Sequence, residues 1–249
     1  MADEIDIEIE QLEKKLKELK RSKLPEFVKT KIQRNQTILK FLFENIIKDD
    51  GFLCGGFARV CVSTNPEIIP SQDIDIYCKN KDAYDSISKR LELNGYFEKR
   101  KSETARTMEY SFSGNLPIQL IVPLNEGHVV LSSENVETIL KNFDFSIARV
   151  GISSETLKSE EAICDYDFKE DDEKKHLNIK NIHCPIAQIY RVSKYMEKGF
   201  WLPIAQALKI FKDWDERDEE YKKKISGFTE KSEPTKEEVQ ELEKLLHID

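Results

Sequence analysis

No stretch of this chain approaches the roughly 20 consecutive apolar residues that a membrane-spanning helix requires. The first ten residues, Met1 to Glu10, are acidic and lack the basic-then-apolar layout of a secretory leader. Both absences set the expectation of a cytoplasmic protein with no membrane partner. Cysteine pairing is lacking too. Cys54, Cys61, Cys78, Cys164 and Cys184 are odd in number and contain no C-x-x-C spacing. They read as buried free thiols in a reducing compartment. The histidines, His128, His176, His183 and His247, are scattered with none paired at helical spacing, which argues against a zinc enzyme. Positive charge is in deficit: 39 Lys and Arg face 47 Asp and Glu, a net charge of −8. A protein that wraps nucleic acid with its whole surface is basic, so any such contact here is confined to a local patch. The stretch from Lys89 to Arg106, with Lys99, Arg100 and Lys101, is the candidate, and an ordinary solvated face is the alternative.

What the chain does contain is enough apolar residue for a real core: 39% hydrophobic over 249 residues. Residues 4–22 carry Ile5, Ile9, Leu12, Leu16 and Leu19 at spacings of four, three, four and three. That is an amphipathic helix with a narrow seam, suited either to a dimer or to packing on its own domain. A second helix is expected over Glu26 to Ile47. The pattern then changes. Gly51 to Cys54 reads as a buried strand, Phe57 to Ser63 as a helix, Asp73 to Tyr77 as an alternating strand and Lys81 to Asn94 as a helix. Phe97 to Lys101, Thr107 to Phe112 and Ile118 to Val122 are strand candidates, the last two joined through Ser113-Gly114. Ser133 to Asn142 is a short helix with Ser133 as its cap, and Phe143 to Ile152 a further strand. Residues 155–182 are polar and mixed. Helices follow from Pro185, with Ile186, Ile189, Val192 and Tyr195 on one face and Gly199 as terminator, and from Pro203, carrying Ile204, Leu208 and Phe211. Glu237 to Leu246 makes a final amphipathic helix. The expected fold class is therefore α+β: N-terminal helices over 1–47, a mixed-sheet core with flanking helices over 48–154, and a mainly helical C-terminal region over 155–249.

Chemistry concentrates in Gly55-Gly56-Phe57-Ala58-Arg59 and Asp73-Ile74-Asp75-Ile76. On a strand, alternate side chains share a face. Asp73 and Asp75 thus project together while the isoleucines enter the core. Two adjacent carboxylates repel unless a cation lies between them. Magnesium, a hard ion shared between carboxylates and substrate phosphates, is the cofactor this pair predicts. A strand running into Gly-Gly and then a helix lets backbone approach phosphate closely. Arg59, one turn on, is placed to reach a phosphate or to brace the turn. The bland alternatives are two solvated acids and an ordinary turn.

This order of parts resembles the nucleotidyltransferase superfamily that includes DNA polymerase beta, the poly(A) polymerases and the CCA-adding enzymes. Gly55, Gly56 and Arg59 look like the GGxxR opening of the bacterial poly(A) polymerase and CCA-adding branch, and Asp73 with Asp75 like its metal-binding pair. Tyr190 to Tyr195, leading to Lys198-Gly199-Phe200, looks like the Arg-containing helix that follows the catalytic head. Ile118-Gln119-Leu120-Ile121 followed by Phe143-Asp144-Phe145 is also similar to nucleotidyltransferase-like proteins of viruses and large phages. The resemblance covers about 100 residues. It implies a magnesium-dependent transfer of a nucleoside monophosphate from a nucleoside triphosphate to an acceptor hydroxyl of RNA, a small molecule or a protein.

One departure matters. The family's third carboxylate belongs on a later strand, and the matching position here is Gln119, whose amide is a poor base. Asp144 is the expected substitute, with a strand-entry role as its alternative, and Glu109 is a further option. Arg191 and Lys194 on the later helix are candidates to meet base or phosphates, or else to form a surface salt-bridge face. A catalytically inactive relative that binds nucleotide or a protein partner is the competing function.

Overall fold

The computed structural model describes residues 24–65, 70–101, 107–112, 115–121 and 135–229. Eight strands make one mixed sheet in the order β1-β8-β7-β2-β3-β6-β5-β4. They are β1 (Phe27–Lys31), β2 (Gly51–Cys54), β3 (Ile74–Cys78), β4 (Phe97–Lys101), β5 (Thr107–Ser111), β6 (Ile118–Ile121), β7 (Val150–Ile152) and β8 (Glu161–Asp165). β3 and β6 run parallel; every other neighbouring pair in that order is antiparallel. The helices are α1 (Gln36–Phe41, continued by a π-helical turn over Leu42–Ile47), α2 (Gly56–Val62), α3 (Lys81–Leu93), α4 (Val136–Leu140), α5 (Ser154–Lys158), α6 (Phe168–Lys174), α7 (Pro185–Glu197), α8 (Ile204–Glu216) and α9 (Glu219–Thr229). The fold is α+β, a mixed sheet with flanking helices.

One face of the sheet is sealed by α1, α2 and α3. Leu39, Ile46, Ala58, Cys61, Ile87 and Leu91 pack there against Leu53, Ile76, Leu120 and Ile152. Burying an Ile or Leu of this kind contributes about 1.5–3 kcal/mol. α3 shows how local chemistry delimits an element. Asn80 caps its start by accepting from the Ala83 amide at 2.8 Å. Its end turns on Gly95, at φ 84°, with Gly95 N–H donating to Glu92 O and Tyr96 N–H to Leu91 O, each at 3.0 Å. That is a Schellman closure. α7 ends the same way: Gly199 N–H donates to Met196 O at 2.9 Å, and Phe200 N–H to Tyr195 O at 3.0 Å. The Tyr195 and Phe200 rings then meet edge to face at 5.8 Å. Gly199 thus terminates the helix as the sequence predicts.

On the other face, α4 covers the β2 end, where Val136, Ile139 and Leu140 pack on Phe52 and Cys54. A further core joins Phe145, Ile147, Leu177 and Ile179 to Val192, Phe200 and Ile210 of the C-terminal helices.

Several expectations are corrected. Residues 27–31 form β1, not the start of a helix; Val28 and Thr30 are β-branched, and the strand pairs with β8 from Phe27↔Asp165 to Lys31↔Glu161. The sheet therefore takes one strand from each flank of residues 48–154. The polar stretch 155–182 conceals β8 and α6. Phe143 to Ile152 is a strand only over β7; Ser146–Ala148 is a 3-10 turn. Asn135 caps α4, accepting from Glu137 N–H at 2.7 Å. On α8, Ile204, Leu208 and Phe211 are exposed and Ile210 is the buried residue. The helices predicted over 4–22 and 237–246, with the dimer expected through the former, lie outside the described residues, as do Ser113-Gly114, Val122, Ser133 and residues 102–106 of the basic stretch.

Candidate functional site

The site grows from the pairing of β2 with β3. On β3, Ile74, Ile76 and Cys78 are buried and Asp75 and Tyr77 half-buried, the alternation expected of a strand with one face in the core. The antiparallel register sets Cys54 opposite Asp75, so the turn that leaves β2 arrives beside this carboxylate. Gly55 occupies that turn at φ 78°, ψ −139°, a conformation that L side chains avoid. A β-carbon at residue 55 would stand 3.3 Å from Asp75 Oδ2 and 3.5 Å from Phe143 Cε1. One at residue 56 would stand 3.0 Å from Ser71 Oγ. The double glycine and the acids thus meet across a narrow gap, with no side chain from residues 55 and 56 filling it.

Beyond β3 lies β6, parallel to it, with Gln119 in register with Asp75. The Gln119 amide Nε2 donates to Asp73 Oδ2 at 3.2 Å, which puts Asp73 on the same face as its neighbours. Next comes β5, antiparallel, with Glu109 opposite Gln119. Glu109 Oε1 pairs with Lys99 Nζ at 3.2 Å. A polar row therefore crosses the sheet from Asp75 through Gln119 to Glu109.

Two expected site residues serve elsewhere. The Arg59 guanidinium is buried and bonds Asp172 Oδ1 at 3.1 Å, stacked over the Phe200 ring at 5.2 Å. Ser63 Oγ bonds the other oxygen of Asp172. Arg59 therefore locks α2 to α6. Asp144 is not an open third acid: its Oδ2 accepts from Arg191 Nη1 at 3.1 Å and Gln188 Nε2 at 3.4 Å. The pair ties α7 to the segment before the 3-10 turn. Burial opposes the charge on Arg191, but Asp144 more than compensates and its pKa stands above the ordinary value. Lys194 places Nζ 4.6 Å above the exposed Tyr190 ring.

Lys198 was not among the expected site residues. It caps the end of α7, and its pKa is lowered by burial and by Arg59, with Asp73 and Asp75 acting in the opposite sense. Its ammonium therefore stands in the field of both acids. The signal was available: a basic residue directly before the glycine that turns the chain back toward Arg59. Tyr195, beside it, has its hydroxyl pKa pushed up to about 12 by burial and by Asp144. The five cysteines are free and buried, as expected, and burial raises the Cys54 thiol well above its ordinary range.

Among the described residues, no group of three or more His, Cys, Asp and Glu side chains is placed to hold a metal. Asp73 and Asp75 supply two carboxylates. That donor set is too small for a closed structural site but suits magnesium, which binds through one or two carboxylates and completes its shell with water and substrate phosphate.

The family model described as the Gabija anti-defense 2 family protein matches residues 18–175. No curated protein matches the sequence. Among solved structures, the Thermotoga maritima CCA-adding enzyme complexed with tRNA is similar at TM-score 0.52 and 15% identity, over 90% of this chain and 51% of that one. A tRNA-processing enzyme in its apo form gives TM-score 0.52 at 16% identity, over 74% of this chain and 48% of that one. A CCA-adding enzyme with CTP gives 0.50 at 16% identity, over 72% and 44%. This chain spans about half the length of these enzymes or less. The likeness establishes the fold, that of the nucleotidyltransferases.

Proposed function

This chain belongs to the Gabija anti-defense 2 family, and we propose that it is a magnesium-dependent nucleotidyltransferase whose reaction counters Gabija defence. The observation that carries the reading is the apposition of Asp75 Oδ2 and the Gly55 turn, 3.3 Å from the place of a missing β-carbon, with Asp73 on the same face. Acids alone occur on many strands; acids meeting a side-chain-free turn make a place for a metal-bound phosphate chain.

In this reading Asp73 and Asp75 hold magnesium, which would neutralise charge on the triphosphate and on the attacked phosphorus. Gly55 and Gly56 let the outer phosphates lie against backbone. Lys198 and Lys194 supply positive charge from the end of α7, and Arg191, anchored by Asp144, shapes the wall beside Tyr77. Arg59 holds α2, and with it the glycine turn, in position rather than touching phosphate. The acceptor hydroxyl attacks the α-phosphorus and pyrophosphate leaves, in a geometry that positioning makes effective. We assign this core to residues 48–154, its sheet completed by β1 and β8 from either side, acting in the cytoplasm where nucleoside triphosphate is available.

An RNA 3′ end is favoured as acceptor by the tRNA-bound relative; the net charge of −8 favours a small molecule or a protein side chain. The test is incubation with each α-labelled nucleoside triphosphate, magnesium and separate fractions of total RNA, protein and small molecules, beside Asp73→Ala/Asp75→Ala. Label transferred by the parent and not by the variant is the expected result and identifies the acceptor class. Equal labelling by both, or none by the parent, overturns the proposal. The second reading is a nucleotide-binding protein without transfer, favoured by the amide of Gln119 where the nucleotidyltransferase resemblance places an acid. Magnesium-dependent binding of nucleotide without label transfer would select it.

A further inference from the structure

We propose that Glu109 is the general base of this reaction, one strand away from the position where the family resemblance places the third acid. The inference rests on the transferase reading above. At that position Gln119 cannot accept a proton, and its amide is already engaged with Asp73 Oδ2 at 3.2 Å. Asp144 does not replace it: its carboxylate is 7% exposed and bound by Arg191. The remaining neighbour of β6 is β5, and its register sets Glu109 directly opposite Gln119.

Residues directly opposite in an antiparallel pair point to the same face, with β-carbons about 4.5–5.5 Å apart. Glu109 therefore rises from the face that bears Asp75 and Gln119. As a glutamate it reaches one methylene further than an aspartate. Its side chain is 20% exposed, and Oε1 is held by Nζ of Lys99, whose side chain is 58% exposed on the edge strand β4. Lys99 fixes one oxygen, and Oε2 is the atom assigned to the acceptor. The acceptor O–H gives its proton to Oε2 as its oxygen bonds the α-phosphorus. The bond from that phosphorus to the bridging oxygen breaks, and the oxygen departs with the electron pair as pyrophosphate.

The test compares Glu109→Gln with the parent in two measurements: label transfer to the fraction that the parent labels, and calorimetric binding of α,β-methylene ATP with magnesium. Loss of a general base lowers transfer by about 100-fold or more, while binding of the analogue stays within about twofold and reports that the variant is folded. Glu109→Gln/Gln119→Glu, which returns an acid to the neighbouring strand, is expected to regain about tenfold over the single variant. Transfer by Glu109→Gln at the parent rate, or parallel loss of analogue binding, overturns this inference alone. A parent that labels nothing overturns the transferase reading and this inference with it.

Discussion

The side-chain amide of Gln119 donates to Asp73 Oδ2 across 3.2 Å, from the strand position in parallel register with Asp75. A neutral donor thus sits where a third negative charge would repel the pair. Gln119→Glu is expected to lower the melting temperature in the presence of chelator, because three carboxylates then share one face. Magnesium should restore the lost stability, and the magnesium-dependent gain in Tm should exceed that of the parent. Melts with and without the ion check it; an equal gain in both proteins would contradict it.

Gly55 needs its positive φ and the open space beside Asp75. Gly55→Ala adds strain of about 1–3 kcal/mol and places a methyl 3.3 Å from Asp75 Oδ2. Nucleotide affinity should fall about tenfold or more, equivalent to about 1.4 kcal/mol of binding. Gly95→Ala is the control: its φ is 84°, at the turn after α3, and the nearest side-chain atom is Phe112 Cε2 at 3.3 Å. It should lose stability without the loss of nucleotide affinity. Calorimetry on both variants separates strain from the phosphate-binding role.

Arg59 and Asp172 are 6% and 3% exposed and bonded to each other. Asp172→Ala leaves the guanidinium buried without its carboxylate, which costs about 3–5 kcal/mol. Arg59→Met/Asp172→Leu removes both charges and should cost markedly less. Urea unfolding of the single and double variants measures the difference.

Lys198 has a folded-state pKa below the ordinary 10.5, from burial first and Arg59 next. A base whose pKa is depressed on folding destabilises the fold while it is charged. The penalty is present below the folded pKa and disappears as pH rises toward 10.5. Lys198→Met should therefore raise Tm near neutral pH, with the gain shrinking in alkaline buffer. The same variant should bind magnesium-nucleotide more weakly. A variant equally stabilised at every pH would refute the titration argument.

The acids and the glycines were legible in the sequence because their geometry is local. Period-two alternation puts Asp73 and Asp75 on one face, and Gly55 marks a turn that other residues resist. The helix expected over Lys81 to Asn94 is found at Lys81–Leu93, its limits set locally by Asn80 and Gly95. β1 and β8 were not: FVKTK is short and half polar, and becomes a strand only by pairing with Glu161–Asp165. From the sequence Arg59 reads as able to reach a phosphate or to brace the turn; its bond to Asp172, 113 residues away, is one that no local pattern announces.

By itself, then, the amino-acid sequence determined which residues carry charge, where the chain turns and which side of β3 faces away from the core. Those follow from backbone sterics and strand periodicity, which act over a few residues. The tertiary structure decided which charges are spent on holding the fold. Asp144 pairs with Arg191 and Arg59 with Asp172, 47 and 113 positions apart in the chain. Ion pairing acts through space and ignores sequence separation, so only the folded chain reveals it.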